Sequence, residues 1–206
     1  MAMSRPSSSS PGDVPQIKHR VALLQFPVTA DKAQNLRTAR DYLRRARAAG
    51  ARLCVLPEVW NSPYAAAAFP EYAETLPDVG DALADRPEDA AAGRWGPSAV
   101  LLMETAAATG MHVVGGSVPE RDPADGRVYN ACLVVDPAGR IAAKHRKAHL
   151  FDIDVPGGVR FRESETLTGG DAVTSFDADD GPPADGAEPT AEPEPAPVRL
   201  ALKAAR

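Results

Sequence analysis

Short apolar runs alternate along the chain with stretches of helical period, and this alternation sets the first expectation. Val21-Ala-Leu-Leu-Gln-Phe26 is a nearly continuous apolar run, the pattern of a strand covered on both faces. Asp31 stands next as an N-cap, and Ala33, Leu36, Ala39, Leu43 and Ala46 recur at helical spacing up to Gly50. Leu53-Cys-Val-Leu56 is a second buried run, stopped by Pro57, whose ring removes the donor a strand ladder needs. The chain therefore begins strand–helix–strand, which predicts an α/β sheet.

Beyond that point the period fades. Residues 60–97 read as irregular, with a Pro-bounded stretch at Asn61-Ser-Pro-Tyr64 and an acidic, Ala-rich segment over 78–93. Ser98 is the expected cap of a helix running to Thr109, with Gly110 as its stop. Val113, Val114 and Ser117 belong to a third strand. Tyr129 to Val135, the Asp136-Pro-Ala-Gly139 turn and Arg140 to Lys144 form a hairpin pattern. Four strand signals interleaved with two helices give an α/β or α+β fold. Residues 177–197 are almost wholly Asp, Glu, Pro, Ala and Gly, too poor in apolar surface to order themselves, so a flexible insertion is expected there. Val198 to Leu202 reads as one more strand, expected to expose an unfinished sheet edge. The Ser- and Pro-rich residues 1–17 read as a disordered leader ahead of a domain over 18–206.

Composition narrows the classes of function. With 206 residues and 44% apolar content the chain can build a core. A net charge of -5 argues against a nucleic-acid partner, because phosphates must be neutralised by a basic excess. Arg40, Arg44, Arg45 and Arg47 cluster, but on a helix face opposite an apolar stripe, and read as solvated. No apolar run reaches the roughly 18 residues of a membrane span. Cys54 and Cys132 each sit inside an apolar run; they are no disulfide framework, and a reduced, cytoplasmic setting is expected, with an organelle as the alternative. No metal site is expected. His145 and His149 lie four apart without an acidic or Cys partner at ligand spacing.

Two residues carry candidate chemistry. Glu58 follows a buried run and a proline, which places its carboxylate at a strand end, where sheets meet clefts. Lys147 ends a basic run that begins at Lys144; such runs on edge strands are ordinarily solvated. Taken singly, each is also what a surface charge looks like.

In combination the motifs say more. Leu56-Pro-Glu58, Phe69-Pro-Glu-Tyr-Ala-Glu74, Val114-Gly-Gly-Ser117, Tyr129-Asn130 and Arg146-Lys147-Ala-His-Leu-Phe-Asp-Ile-Asp-Val-Pro156 succeed one another in this order. The chain resembles the nitrilase superfamily of carbon–nitrogen hydrolases, most of all its omega-amidase branch. The likeness covers about Val21 to Phe176, broken by extra residues around 78–93, and His149 to Gly157 is its most specific piece. What it implies is an α-β-β-α sandwich, here incomplete, and a Glu-Lys-Cys triad that uses no cofactor and no metal. Glu58 would be the general base and Lys147 the cation facing the developing oxyanion, with Glu163 supporting the lysine. Tyr64, in a segment that also resembles that branch, would touch substrate. The implied partner is a small-molecule amide, and complete members are at least dimers.

The nucleophile is where the chain departs. In that family a Gly-Xaa-Cys-Tyr-Asp turn comes after the next strand. Here Arg199 to Leu202 is succeeded by Lys203-Ala-Ala-Arg206, with Ala205 at the nucleophile's place. Cys54 and Cys132 read as packing residues, since buried thiols are poor nucleophiles. Three readings result: an omega-amidase-type hydrolase truncated before its cysteine and inactive as given, a non-catalytic homologue that binds a partner or a full-length subunit, or a member of another branch such as a carbamoylase, amidase or nitrilase, against which the His149 to Gly157 match argues.

Overall fold

The apolar runs become short strands laid side by side. The structure, a computed structural model, describes residues 20–178 and 198–202. Val21–Leu23 (β1), Leu53–Val55 (β2) and His112–Val114 (β3) pair in parallel in that order. Val118–Arg121 (β4), Val128–Val135 (β5) and Ile141–Arg146 (β6) complete a six-stranded mixed sheet. The hairpin expected across Asp136 to Gly139 is the β5–β6 pair.

β5 is the strand on which the rest is registered. One of its edges carries β6, antiparallel. Its other edge is shared: Val134 and Val135 face β3, while Val128 to Ala131 face β4. Between those two pairings, three residues (Gly115, Gly116 and Ser117) stand opposite two (Cys132 and Leu133). That mismatch is a β-bulge, which bends a strand and re-aims its later residues. The expected third strand is therefore two strands, separated by the bulge.

The helix after Asp31 forms as Lys32–Ala48 (α1), and the Asp31 side chain accepts a hydrogen bond from the Gln34 amide at 2.9 Å. Its buried residues are Asn35, Ala39, Leu43 and Ala46. Asn35 joins the stripe because both ends of its amide bond the Thr29 backbone, at 2.9 and 2.7 Å, leaving no unsatisfied group to bury. Asp31→Ala is expected to lower stability by about 1 kcal/mol; a urea midpoint identical to that of the parent protein would show the cap to be idle. The second long helix, Pro97–Thr109 (α4), stops at Gly110 in the left-handed conformation, as expected. Its N-cap is Gly96 rather than Ser98. Ser98 sits in the first turn, and its amide is capped by the carboxylate of Glu74 at 2.9 Å.

The stretch 60–97 is less irregular than its composition implies. Phe69–Tyr72 (α2) and Pro87–Ala91 (α3) are short helices, each with a proline in its first turn, where the missing N–H costs nothing. Residues 78–85 lie along the start of β6: the Gly80 amide donates to the Ile141 carbonyl at 2.9 Å, and Arg140 pairs with Asp85.

Helices α1 and α4 cover one face of the sheet, where Leu43, Met103 and Ala106 meet Cys54, Val113, Leu133 and Val135. On the opposite face Phe176 of Thr174–Ala178 (β9) packs against Val114, Val134 and Ala143. β9 pairs antiparallel with Val198–Leu202 (β10). Asp177 and Ala178 thus belong to a strand and not to the expected insertion; the insertion's remaining residues, 179–197, and the leader lie outside the described residues. The strand at Val198 to Leu202 is paired with β9 along one side, and among the described residues its other edge carries no strand. The six-stranded sheet is open at β1, where Leu23 is 79% and Val21 50% exposed. A small antiparallel pair, Asp152–Asp154 (β7) with Arg160–Arg162 (β8), carries the most specific motif. Among the described residues, no helix is long and apolar enough to cross a membrane.

Candidate active site

Glu58 stands on a turn that the bulge holds from below. Val59, the next residue, has φ 47°, a conformation that a β-branched side chain adopts only under constraint. The constraint is visible. The Ser117 hydroxyl accepts from the Val59 amide at 3.0 Å, the Ser117 amide donates to the Pro57 carbonyl at 3.2 Å, and the Trp60 indole donates to the Gly115 carbonyl at 2.7 Å. Trp60 itself is fully buried. Gly116, at φ 62°, lies so close that a Cβ there would run into the Pro57 carbonyl oxygen. Glycine is the residue that permits both the positive φ and the approach.

Lys147 comes directly after β6 and is pinned on both sides. Its amide donates to the Asn130 carbonyl at 2.8 Å, and its carbonyl accepts from the Gly170 amide at 2.9 Å. The basic run before it is not solvated as expected. Arg146 makes two bonds to the buried Glu120, at 2.7 and 2.9 Å, and a third to Asp122 at 2.9 Å, with its guanidinium 3.9 Å from the centre of the Tyr129 ring. Lys144 lies 3.4 Å from Glu120 and 2.6 Å from Asp78. The pairs on the buried Glu120 fix the strand's end in place, because breaking one leaves a charge uncompensated.

Glu163 opens a single 3-10 turn, Glu163–Glu165, directly after β8. Its side chain is 0% exposed, and a buried carboxylate must be surrounded by donors. It receives the Phe151 amide at 2.7 Å, the Tyr64 hydroxyl at 2.8 Å and the Lys147 ammonium at 2.9 Å. Tyr64 reaches it from the turn after Glu58, its ring stacked on Phe161 at 5.3 Å. Burial and the bond to Glu163 both push the Tyr64 hydroxyl's pKa up.

The expected residues therefore meet. Lys147 Nζ is 3.0 Å from Glu58 Oε1 and bridges to Glu163. Burial works against the ammonium, yet the hydrogen bonds and charges of Glu163 and Glu58 outweigh it and its pKa is raised. Glu58 is the open member, its side chain 48% exposed against 24% for Lys147. A reachable carboxylate can take up a proton, and an ammonium that stays charged at neutral pH can stabilise a developing oxyanion beside it.

One member was not singled out from the sequence. Asn130 donates from Nδ2 to Glu58 Oε1 at 2.9 Å, while its Oδ1 is buried with no hydrogen-bond partner among the described residues, at a cost of about 1–3 kcal/mol. The Tyr129-Asn130 pair marked the position but said nothing of what the amide faces. The thiols lie elsewhere: burial raises Cys54 to about 11, and Cys132 to about 12.

Residues 20–188 match the model of a family described as carbon-nitrogen hydrolase. The chain is 44% identical over 160 residues to omega-amidase NIT2-B of Xenopus laevis, covering 78% of this chain and 51% of that one. It is 42% identical over 167 residues to a chloroplastic omega-amidase of Arabidopsis thaliana, covering 81% and 41%. Among solved structures, Saccharomyces cerevisiae Nit3, a nitrilase superfamily member, superposes with a TM-score of 0.62 at 32% identity, over 77% of this chain and 51% of that one. The chain spans about half or less of the length of these relatives.

Proposed function

Since the chain belongs to the carbon–nitrogen hydrolase family, we propose that Glu58, Lys147 and Glu163 form the acid–base and electrostatic part of an omega-amidase-like site. The complete protein would release ammonia from the terminal amide of dicarboxylic or 2-oxo dicarboxylic acid monoamides. One observation carries the reading: a single ammonium, held within 3.0 Å of an exposed carboxylate and 2.9 Å of a buried one. The buried carboxylate anchors the lysine; the exposed one is left to move protons.

That division sets the steps. Glu58 removes a thiol proton, and the thiolate attacks the amide carbon. Negative charge gathers on the carbonyl oxygen facing Lys147. Glu58 returns its proton to the amide nitrogen, the C–N bond breaks, and ammonia leaves a thioester. Glu58 then deprotonates a water, which adds to the thioester, and the thiol leaves with the proton as the carboxylic acid forms. The thiol in this scheme is neither Cys54 nor Cys132, whose burial keeps both protonated near neutral pH. Tyr64, tied to Glu163 and half exposed, would line the substrate's path. Two unpaired thiols suit a reduced compartment, the cytosol or an organelle.

The chain as it stands is expected to release no ammonia from 2-oxoglutaramate. Turnover clearly above that of Glu58→Ala would show that a nucleophile is already present. A form that continues past β10 into the cysteine turn should hydrolyse the monoamide. There Glu58→Ala and Lys147→Ala should each lower kcat by about 10²–10³. Wild-type rates in either variant would refute the assignment. The non-catalytic alternative makes the opposite prediction, that no extension restores hydrolysis.

A further inference from the structure

We propose that Asn130 is a positioning residue that grips Glu58 by one carboxylate oxygen and so leaves the other as the proton acceptor. The inference rests on the reading of Glu58 as the base. Two donors converge on the same atom: Asn130 Nδ2 lies 2.9 Å and Lys147 Nζ 3.0 Å from Glu58 Oε1. Among the described residues, no donor meets Oε2. A carboxylate oxygen already holding two N–H groups has its lone pairs engaged, and the thiol proton, like the water proton after it, comes to Oε2.

The orientation of the amide is forced. An ionised carboxylate only accepts, so turning the Asn130 amide over would set oxygen against oxygen. With Nδ2 committed to Glu58, Oδ1 is buried and finds no partner among the described residues. Asn130 is buried on β5, opposite Pro119 of β4. An apolar side chain of the same size would suit that environment better, since it would leave no orphaned polar atom. The position thus trades stability for a grip on Glu58, the pattern expected where function outweighs packing. The same residue's backbone carbonyl also receives the Lys147 amide. Asn130 therefore sets the distance between the carboxylate and the ammonium from both ends.

The test uses the 206-residue chain, with Asn130→Leu and, should that variant fail to fold, Asn130→Ser. The readouts are the NMR titration of the Lys147 side chain and the thermal midpoint, with Glu58→Gln as the reference. The expected result is a Lys147 titration moved to lower pH, in the direction that Glu58→Gln moves it, because a released Glu58 no longer keeps its bond to the ammonium. The thermal midpoint of Asn130→Leu should be unchanged or higher. A Lys147 titration that stays in place in the Asn130 variants overturns the proposal, whether or not Glu58→Gln moves it. A fall in the thermal midpoint without that shift assigns Asn130 to packing alone. The titration requires no turnover, so a failure of Glu58 as base, seen only in rates, remains distinguishable from a failure of Asn130 to hold it.

Discussion

Replacing Glu163 by alanine is expected to cost about 3–5 kcal/mol, a large share of an ordinary domain's stability. The side chain is fully buried and satisfies a backbone amide, a tyrosine hydroxyl and an ammonium at once. Alanine would leave the Phe151 amide without its acceptor and the ammonium with Glu58 alone, and a buried donor left unpaired costs about 1–3 kcal/mol. Glu163→Gln keeps the shape but turns one oxygen into a donor facing donors, so it should lie between alanine and the parent. The pH dependence has a definite sign. The pKa of Lys147 is raised above its ordinary 10.5 in the folded protein. Its contribution is therefore complete below 10.5 and fades as pH rises through the raised folded value. Urea unfolding at neutral pH and again above pH 10 measures both effects. A loss under 1 kcal/mol for the alanine variant would mean that Glu163 is not the lysine's anchor.

Gly116→Ala should be nearly as damaging and for a different reason. The added methyl meets the Pro57 carbonyl, and φ 62° is a conformation that alanine adopts at a cost. Left-handed strain of about 1–2 kcal/mol and overpacking of about 1–3 kcal/mol add to roughly 2–5 kcal/mol. Relief comes only if the 57–60 turn moves off the bulge, and Glu58 would move with it. The expected signature is a lowered urea midpoint together with a Lys147 ammonium that has lost its Glu58 partner. Full stability in this variant would mean that the turn is free to shift and that the bulge does not aim Glu58.

The range of the forces involved decides which features are legible in the chain. The β1–α1–β2 start was legible because each signal is local: a buried run, an Asp cap, apolar residues at helical spacing, a proline stop. Glu58, Lys147 and Glu163 were legible through ordered motifs, and the structure brings all three side chains together. β4 was missed because its pattern is spoiled by Glu120, a charge that is buried only because Arg146, 26 residues away, pairs with it. The basic run around Lys147 looked solvated for the same reason, its acidic partners lying in other segments. Ser98 was read as a cap because serine commonly is one; the capping oxygen comes instead from Glu74, 24 residues before it. Asn130 is the clearest case. An asparagine in an apolar strand says that something polar waits nearby, but only the folded register reveals that it is Glu58.

β5 gives this arrangement a particular resilience. Several of the elements that bear on the site are docked to that one strand: β6 delivers Lys147, the bulge between β3 and β4 supports Glu58, Asn130 belongs to the strand itself, and Thr168, in the segment after Glu163, bridges to Tyr129. Residues 78–93 run beside the start of β6, with Asp78 reaching Lys144 and with Leu83 and Ala90 against the core, and the stretch 84–88 is exposed throughout. Changes of length in that stretch fall outside the bonded cluster of Glu58, Lys147 and Glu163. An evolving lineage can lengthen it without re-registering these three side chains, whereas a one-residue slip in β5 would reverse the facing of every side chain it carries.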